Sequence, residues 1–258
     1  MRLMKRILSA AAVLALSASL LVGCSSGTAS SVPVSASSAA ESTVSSVEET
    51  ASSAVDENEA AAAQLLNDLT GSYQELWPVI LADEYKQTWL DDCTALVGED
   101  NAEAAFEKLS SMVTGDVYGE DAVKAYANGG GAYFCGFTNS LAILTFDGET
   151  STISGTDKDG NVLFSHTYHY IGMEPVRGLY EFQSDDADSG EFTYFFLAPD
   201  TSAETYHIEF RYGSDAEALS QYDTGEYAFW LASGISTDCD QTMIDNCIEL
   251  FCTENLAG

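Results

Sequence analysis

From Ala132 to Leu231 the chain alternates short segments rich in Tyr, Phe, Thr and Ile with clusters of Gly, Asp and Ser. Aromatic and β-branched side chains suit a pleated, half-buried surface, and the small polar residues between them supply turns. The segments predicted as strands are Ala132 to Phe137, Leu141 to Phe146, Thr150 to Ser154, Val162 to Tyr170, Gly178 to Gln183, Phe192 to Leu197 and Thr205 to Tyr212, with Tyr227 to Leu231 as a further one. Asp159-Gly160 signals a tight hairpin, and Ser184 to Gly190 a longer polar hairpin loop. About eight consecutive short strands predict an antiparallel barrel, because closing the sheet removes the exposed edges that would otherwise aggregate. Such a barrel has room for its own side chains and one small ligand.

Helical signals flank this β region. Asp56 and Glu59 have capping-box spacing before Ala60 to Leu69, and Thr70-Gly71-Ser72-Tyr73 interrupts that run. Pro78 suits a first helical position, and Asp100 with Glu103 repeats the cap signal before Ala104 to Met112. Asp121 to Tyr126 reads as a short helix stopped by Gly129-Gly130-Gly131, and Asp215 to Tyr222 as another between late strands. A last helix runs from about Thr237, with Met243, Ile244, Cys247, Ile248 and Phe251 on one face. The fold class is therefore mainly β with helices, an α+β chain with helical N-terminal segments and a C-terminal helix.

The N-terminus carries an export signal. Arg2, Lys5 and Arg6 precede an uncharged run from Ile7 to Val22, which ends in Leu21-Val22-Gly23-Cys24. Basic flank, apolar run and small residues before a cysteine resemble the bacterial lipobox, which implies cleavage before Cys24 and lipid on that cysteine. Residues 1–23 are thus expected to be a signal peptide. Residues 24–55, rich in Ser, Ala, Val, Thr and Glu without an apolar period, are expected to be a flexible tether, and 56–258 the folded domain. No later segment is apolar for long enough to span a bilayer. The expected location is extracytoplasmic, lipid-anchored to the cell membrane.

The formal net charge is −32, and removing the signal takes three basic residues and no acid. A surface this acidic repels phosphate backbones, so nucleic acid is excluded as a partner. Beyond Cys24 the cysteines are Cys93, Cys135, Cys239, Cys247 and Cys252. An odd count leaves at least one outside any intrachain pairing, and the absence of Cys-x-x-Cys argues against a zinc ribbon or a thioredoxin-type site. Cys247 and Cys252 fall in a helical pattern and read as core residues.

Little in the chain suggests catalysis. There is no Gly-x-Ser-x-Gly elbow, phosphate loop or His-Glu-x-x-His, and the protein is not expected to be an enzyme. The histidines are His166, His169 and His207. His166 and His169 have opposite parity along one strand and face opposite sides of the sheet. Asp157-Lys158-Asp159-Gly160 and Asp186-Ala187-Asp188-Ser189-Gly190 are acidic, but neither continues to the ligand positions of a calcium loop, and both read as hairpin turns. His207 shares one strand face with Thr205 and Glu209, and on the inner face of a barrel it could ligate a metal.

Several motifs, in order, resemble the ZinT (YodA) family of extracytoplasmic zinc-binding proteins. Gly71-Ser72-Tyr73 with Trp77-Pro78 resembles the family's opening Gly-x-Trp strand and Tyr-Pro, with Tyr73 in place of Trp. Tyr168-His169-Tyr170-Ile171-Gly172 is similar to its Tyr-Asp-Tyr-x-Gly, and Val176-Arg177-Gly178-Leu179-Tyr180-Glu181 to its Val-Arg-Tyr-Leu-Phe-Glu. Ala198-Pro199 followed by Tyr206-His207-Ile208 resembles Ala-Pro followed by Phe-His-Ile, and Tyr227-Ala228-Phe229-Trp230-Leu231 with a terminal helix also fits. The resemblance spans about Leu69 to Leu250, with a poor fit from Asp91 to about Ser140. It implies a lipocalin-like (calycin) barrel. It also implies a zinc site of three histidines, one three residues before Ala-Pro and two in a following His-x-His. Those positions here are Phe195, Thr205 and His207, so one ligand survives, with Glu204 and Glu209 as neighbouring carboxylates. His-rich loops are absent.

These features lead to the expectation of a surface-tethered lipoprotein that binds or traffics a divalent metal, zinc, through His207, accessory to a metal-uptake transporter. The alternatives are a lipocalin-like binder of a small organic ligand, its site made apolar by Phe195, and an envelope interaction protein.

Overall fold

A computed structural model of the protein describes residues 57–115, 132–199 and 207–256. The expected signal peptide, the tether, Cys24, the helix expected at Asp121 to Tyr126, and Glu204 and Thr205 lie outside the described residues.

Eight antiparallel strands close into a barrel in sequence order: β1 (Gly71–Glu75), β2 (Ile143–Asp147), β3 (Thr152–Thr156), β4 (Val162–Met173), β5 (Tyr180–Ser184), β6 (Tyr194–Leu197), β7 (His207–Gly213) and β8 (Ala232–Ser236). Closure is made by β8 on β1, with Tyr73 opposite Ser236 and Glu75 opposite Gly234. The alternation of each strand explains the interior. Leu144 and Phe146, Ile153, Phe164 and Tyr168, Phe182, Phe195, and Ile208, Phe210 and Tyr212 form one buried cluster. Their rings fill the lumen: Phe195 lies 5.4 Å from Tyr212 and 6.4 Å from Phe210, and Phe164 stacks on Phe192 at 4.0 Å. The β3–β4 hairpin turns through Gly160 at φ 81°, a backbone conformation that glycine adopts without steric cost.

Residues 57–68 form helix α1. Ala62, Leu65, Leu66 and Leu69 recur at helical spacing and join the barrel cluster, so this helix covers one end of the barrel. A second cluster lies outside the wall. Helices α2 (Leu76–Ile80), α3 (Lys86–Val97), α4 (Glu99–Thr114) and α6 (Gln241–Leu256) pack Trp77, Trp89, Leu109 and Ile248 around Ile235, which faces outward from β8. The Trp89 indole N–H donates to the Ile80 carbonyl at 2.7 Å. The helix expected at Asp215 to Tyr222 is the shorter α5 (Ala216–Leu219), capped by Asp215, whose carboxylate accepts from the Ala218 N–H.

Two expected strands are absent and two others were not anticipated from residue patterning. Ala132 to Phe137 makes only isolated bridges at Phe134. Its backbone bonds are divided among several partners instead: the Tyr133 and Cys135 N–H groups donate to the Met112 and Val113 carbonyls at the end of α4, the Phe137 N–H donates to Glu75 Oε1, and the Gly136 carbonyl accepts from the Trp230 indole at 2.8 Å. A Cβ at Gly136 would meet the Phe134 ring at 2.6 Å, so the close approach requires glycine. Tyr227 to Leu231 is a turn ending in a bridge at Trp230, because Phe229 sits at φ 55° and breaks the extended path. The strand comes after it, as Ala-Ser-Gly-Ile-Ser in β8. Those small residues lack a β signature. β1, interrupted by glycine and serine, was indicated only by the family resemblance.

Cys93 of α3 and Cys252 of α6 are buried thiols with their sulfurs 3.9 Å apart. A low-molecular-weight disulfide is expected to oxidise this pair. Each thiol gives up a proton, the two sulfurs join, and the reagent's disulfide is reduced to two thiols. Burial pushes both thiols up, so the reaction should be slow at neutral pH and faster in alkali, where the attacking thiolate forms. Peptide mapping should recover a Cys93–Cys252 crosslink; recovery of only the separate peptides after alkaline oxidation would contradict it.

Candidate metal-binding site

The alternation of β7 decides where His207 points. Ile208, Phe210 and Tyr212 belong to the barrel interior, so His207, Glu209 and Arg211 project from the outer face. Cross-strand neighbours share a face, and the register agrees: His207 lies opposite Ile235, a member of the outer cluster, and Glu209 opposite Ser233. The expectation that His207 lines the lumen is therefore corrected. The face was legible in Ile208-x-Phe210-x-Tyr212, an apolar set of the other parity, and the lumen claims that set.

His207 and Glu209 are both partly exposed and stand about 7 Å apart along one face, two residues of strand rise. Side chains at this spacing can converge on one ion. The nearby Cys135 thiol is pushed up to about 12, chiefly by burial and further by the charge of Glu209, which keeps it protonated in the metal-free protein. Two donors are fewer than the three protein ligands usual for zinc. Among the described residues no group of three or more His, Cys, Asp and Glu is placed to hold a metal ion. The described side chains therefore do not complete a resident zinc site.

The other position implied by the resemblance lies elsewhere. Phe195 faces the interior, opposite Tyr212, five residues beyond His207 and so about 16 Å further along the wall. Phe195 and His207 are thus separated both by height and by the wall itself.

The remaining histidines are tied to the β5–β6 loop. His166 lies opposite the interior residue Ile153, so it is the histidine with inward parity; its Nδ1 is 2.7 Å from Asp186 Oδ2, and its ring stacks toward Phe164 at 6.0 Å. His169 projects outward, with Nδ1 2.6 Å from Asp185 Oδ1. Their opposite faces are as expected from parity, but their pairing with adjacent aspartates was not legible, because it depends on how the loop folds back. Asp157 is occupied within its own hairpin. It accepts from Asn161 Nδ2 and from the Asp159 and Asn161 N–H groups, and these bonds hold its carboxyl below the usual range. Both acidic segments serve as hairpin connections.

No family model matches the chain, and no curated protein matches it. Among solved structures, the chain is similar to the Zn(II)-bound ZinT-like domain of Streptococcus pneumoniae AdcA, at 15% identity over 71% of this chain and 89% of that one, with a TM-score of 0.46. It is also similar to Zn(II)-bound AdcA from Streptococcus pneumoniae, at 14% identity over 71% of this chain and 35% of that one, with a TM-score of 0.44.

Proposed function

We propose that the chain is an extracytoplasmic lipoprotein, anchored through lipid on Cys24, that engages a divalent metal ion as cargo in support of a metal-uptake transporter. His207 is the primary ligand and zinc the preferred ion. The observation that carries this reading is the His207-x-Glu209 pair on the outer face of β7, at the one position where the family's ligand pattern keeps its histidine. A neutral imidazole and a carboxylate suit zinc, and the remaining positions filled by water make an open, exchanging site rather than a store. The acidic surface concentrates cations around it. Because aromatic rings fill the lumen, an organic ligand of the lipocalin kind has room at the barrel mouth rather than inside.

Calorimetric titration of the full chain with zinc tests this reading. Saturable binding is expected, weakened at least about tenfold by His207→Ala, and by a smaller factor by Glu209→Gln, since each removes one of two protein ligands. Absence of saturable binding, or binding unchanged in His207→Ala, would overturn it.

A further inference from the structure

A cleft of about 400 Å³ opens at the barrel end away from α1. The residues that line it include Phe134, Tyr227, Phe229 and Trp230 together with Glu191 and Glu226. We propose that this cleft binds a quaternary ammonium group, with the aromatic faces and the two carboxylates as its recognition elements.

The residues are chemically suited to that occupant and poorly suited to others. Glu191 accepts only from neutral hydroxyls, Tyr227 at 3.2 Å and Ser214 at 3.3 Å. Among the described residues, neither Glu191 nor Glu226 meets a lysine or arginine in an ion pair. A neutral apolar ligand would strip water from both acids without replacing it, and an anion would meet a chain of net charge −32. A transition metal would find no histidine or cysteine in the lining. A quaternary ammonium needs no hydrogen-bond acceptor, is attracted to the negative faces of aromatic rings, and is neutralised by carboxylates alongside. The volume is that of a small-molecule site.

The wall is also held in place at conformational cost. Phe229 has φ 55° and Asn139, which also lines the cleft, φ 53°. A bulky residue in the left-handed region is an outlier, and such outliers cluster where a side chain must be aimed. Phe229 is locked there by its own N–H on the Tyr222 carbonyl at 2.8 Å and by the Phe134 N–H on its carbonyl at 2.8 Å. Trp230 is aimed by its indole bond to Gly136 and packs edge-on against Tyr212 at 5.0 Å. Glycine would satisfy the backbone at position 229 more easily, yet a phenylalanine stands there among the residues that line the cleft.

The test is a titration of the full chain with choline, followed by tryptophan fluorescence and calorimetry, beside choline's uncharged isostere in which carbon replaces nitrogen. Saturable choline binding is expected, with the isostere about tenfold weaker or more. Glu226→Gln, Glu191→Gln and Phe229→Gly should each weaken choline several-fold, and Phe229→Gly should keep or raise Tm because glycine accepts this φ. Competition by phosphatidylcholine vesicles, but not by phosphatidylglycerol vesicles, would assign the group to a lipid headgroup, and lack of competition to a soluble ion. Equal binding of the isostere, absence of saturation, or three variants that bind as the parent does would overturn the proposal. Zinc titration of the same variants should be unchanged, which separates this site from His207.

Discussion

Replacing Arg211 by methionine should cost roughly 3–5 kcal/mol of stability, measured by denaturant unfolding, because three backbone carbonyls lose a charged donor at once. Arg211 is fully buried on the outer face of β7. One terminal nitrogen donates to the Leu219 carbonyl and the other to that of Tyr227, and both reach the Gln221 carbonyl at 3.5 Å. The guanidinium also lies over the Tyr222 ring at 4.3 Å, while Arg177 lies over the same ring at 4.6 Å. A single side chain thus fastens the segment between β7 and β8, including the cleft wall, onto the barrel. Methionine keeps the stem and the contact with the ring but leaves the carbonyls unpaired. Arg211→Lys should recover only part of the loss, since one ammonium cannot span the Leu219 and Tyr227 carbonyls as the planar fork does. A loss below about 1 kcal/mol for the methionine variant would contradict this role.

Phe195→His should destabilise the barrel by roughly 3 kcal/mol and leave zinc affinity unchanged. The substitution supplies a histidine at the position where the resemblance implies the first of three. That position is fully buried, with Tyr168 at 5.4 Å, Tyr212 at 5.4 Å and Phe164 at 5.8 Å around the ring. An imidazole there loses ring contacts and brings two polar nitrogens into a lumen of aromatic carbon. It also remains across the wall from His207. A zinc affinity raised tenfold, or stability restored by zinc, would show that the two positions do converge.

Residue patterning alone made much of the fold legible, and the misses have physical causes. The barrel and most of its hairpins were signalled by turn residues between aromatic segments, and Asp159-Gly160 forms the turn expected of it. β8 was hidden because its function in the wall calls for small residues: a Cβ at Gly234 would meet Ile208 at 3.0 Å. Ala132 to Phe137 has strand composition but spreads its backbone bonds over the end of α4, residues 229–233 and the side chains of Glu75 and Trp230, distant partners that no local window contains. The candidate site was half legible. That His207 and Glu209 share a face follows from period two, but a strand of period two gives two faces, and the choice belongs to the larger apolar set. The pairing of His166 with Asp186 and the left-handed backbone of Phe229 beside the cleft depend on loop geometry and backbone strain, for which residue type carries no signal.

The chain has only three histidines, so their ring resonances report the metal question directly. In a carbon-13 histidine spectrum recorded during zinc titration, the resonance of His207 alone should move, while those of His166 and His169, engaged by Asp186 and Asp185, stay in place. Movement of the His166 or His169 signal with His207 unmoved would contradict the outer-face site.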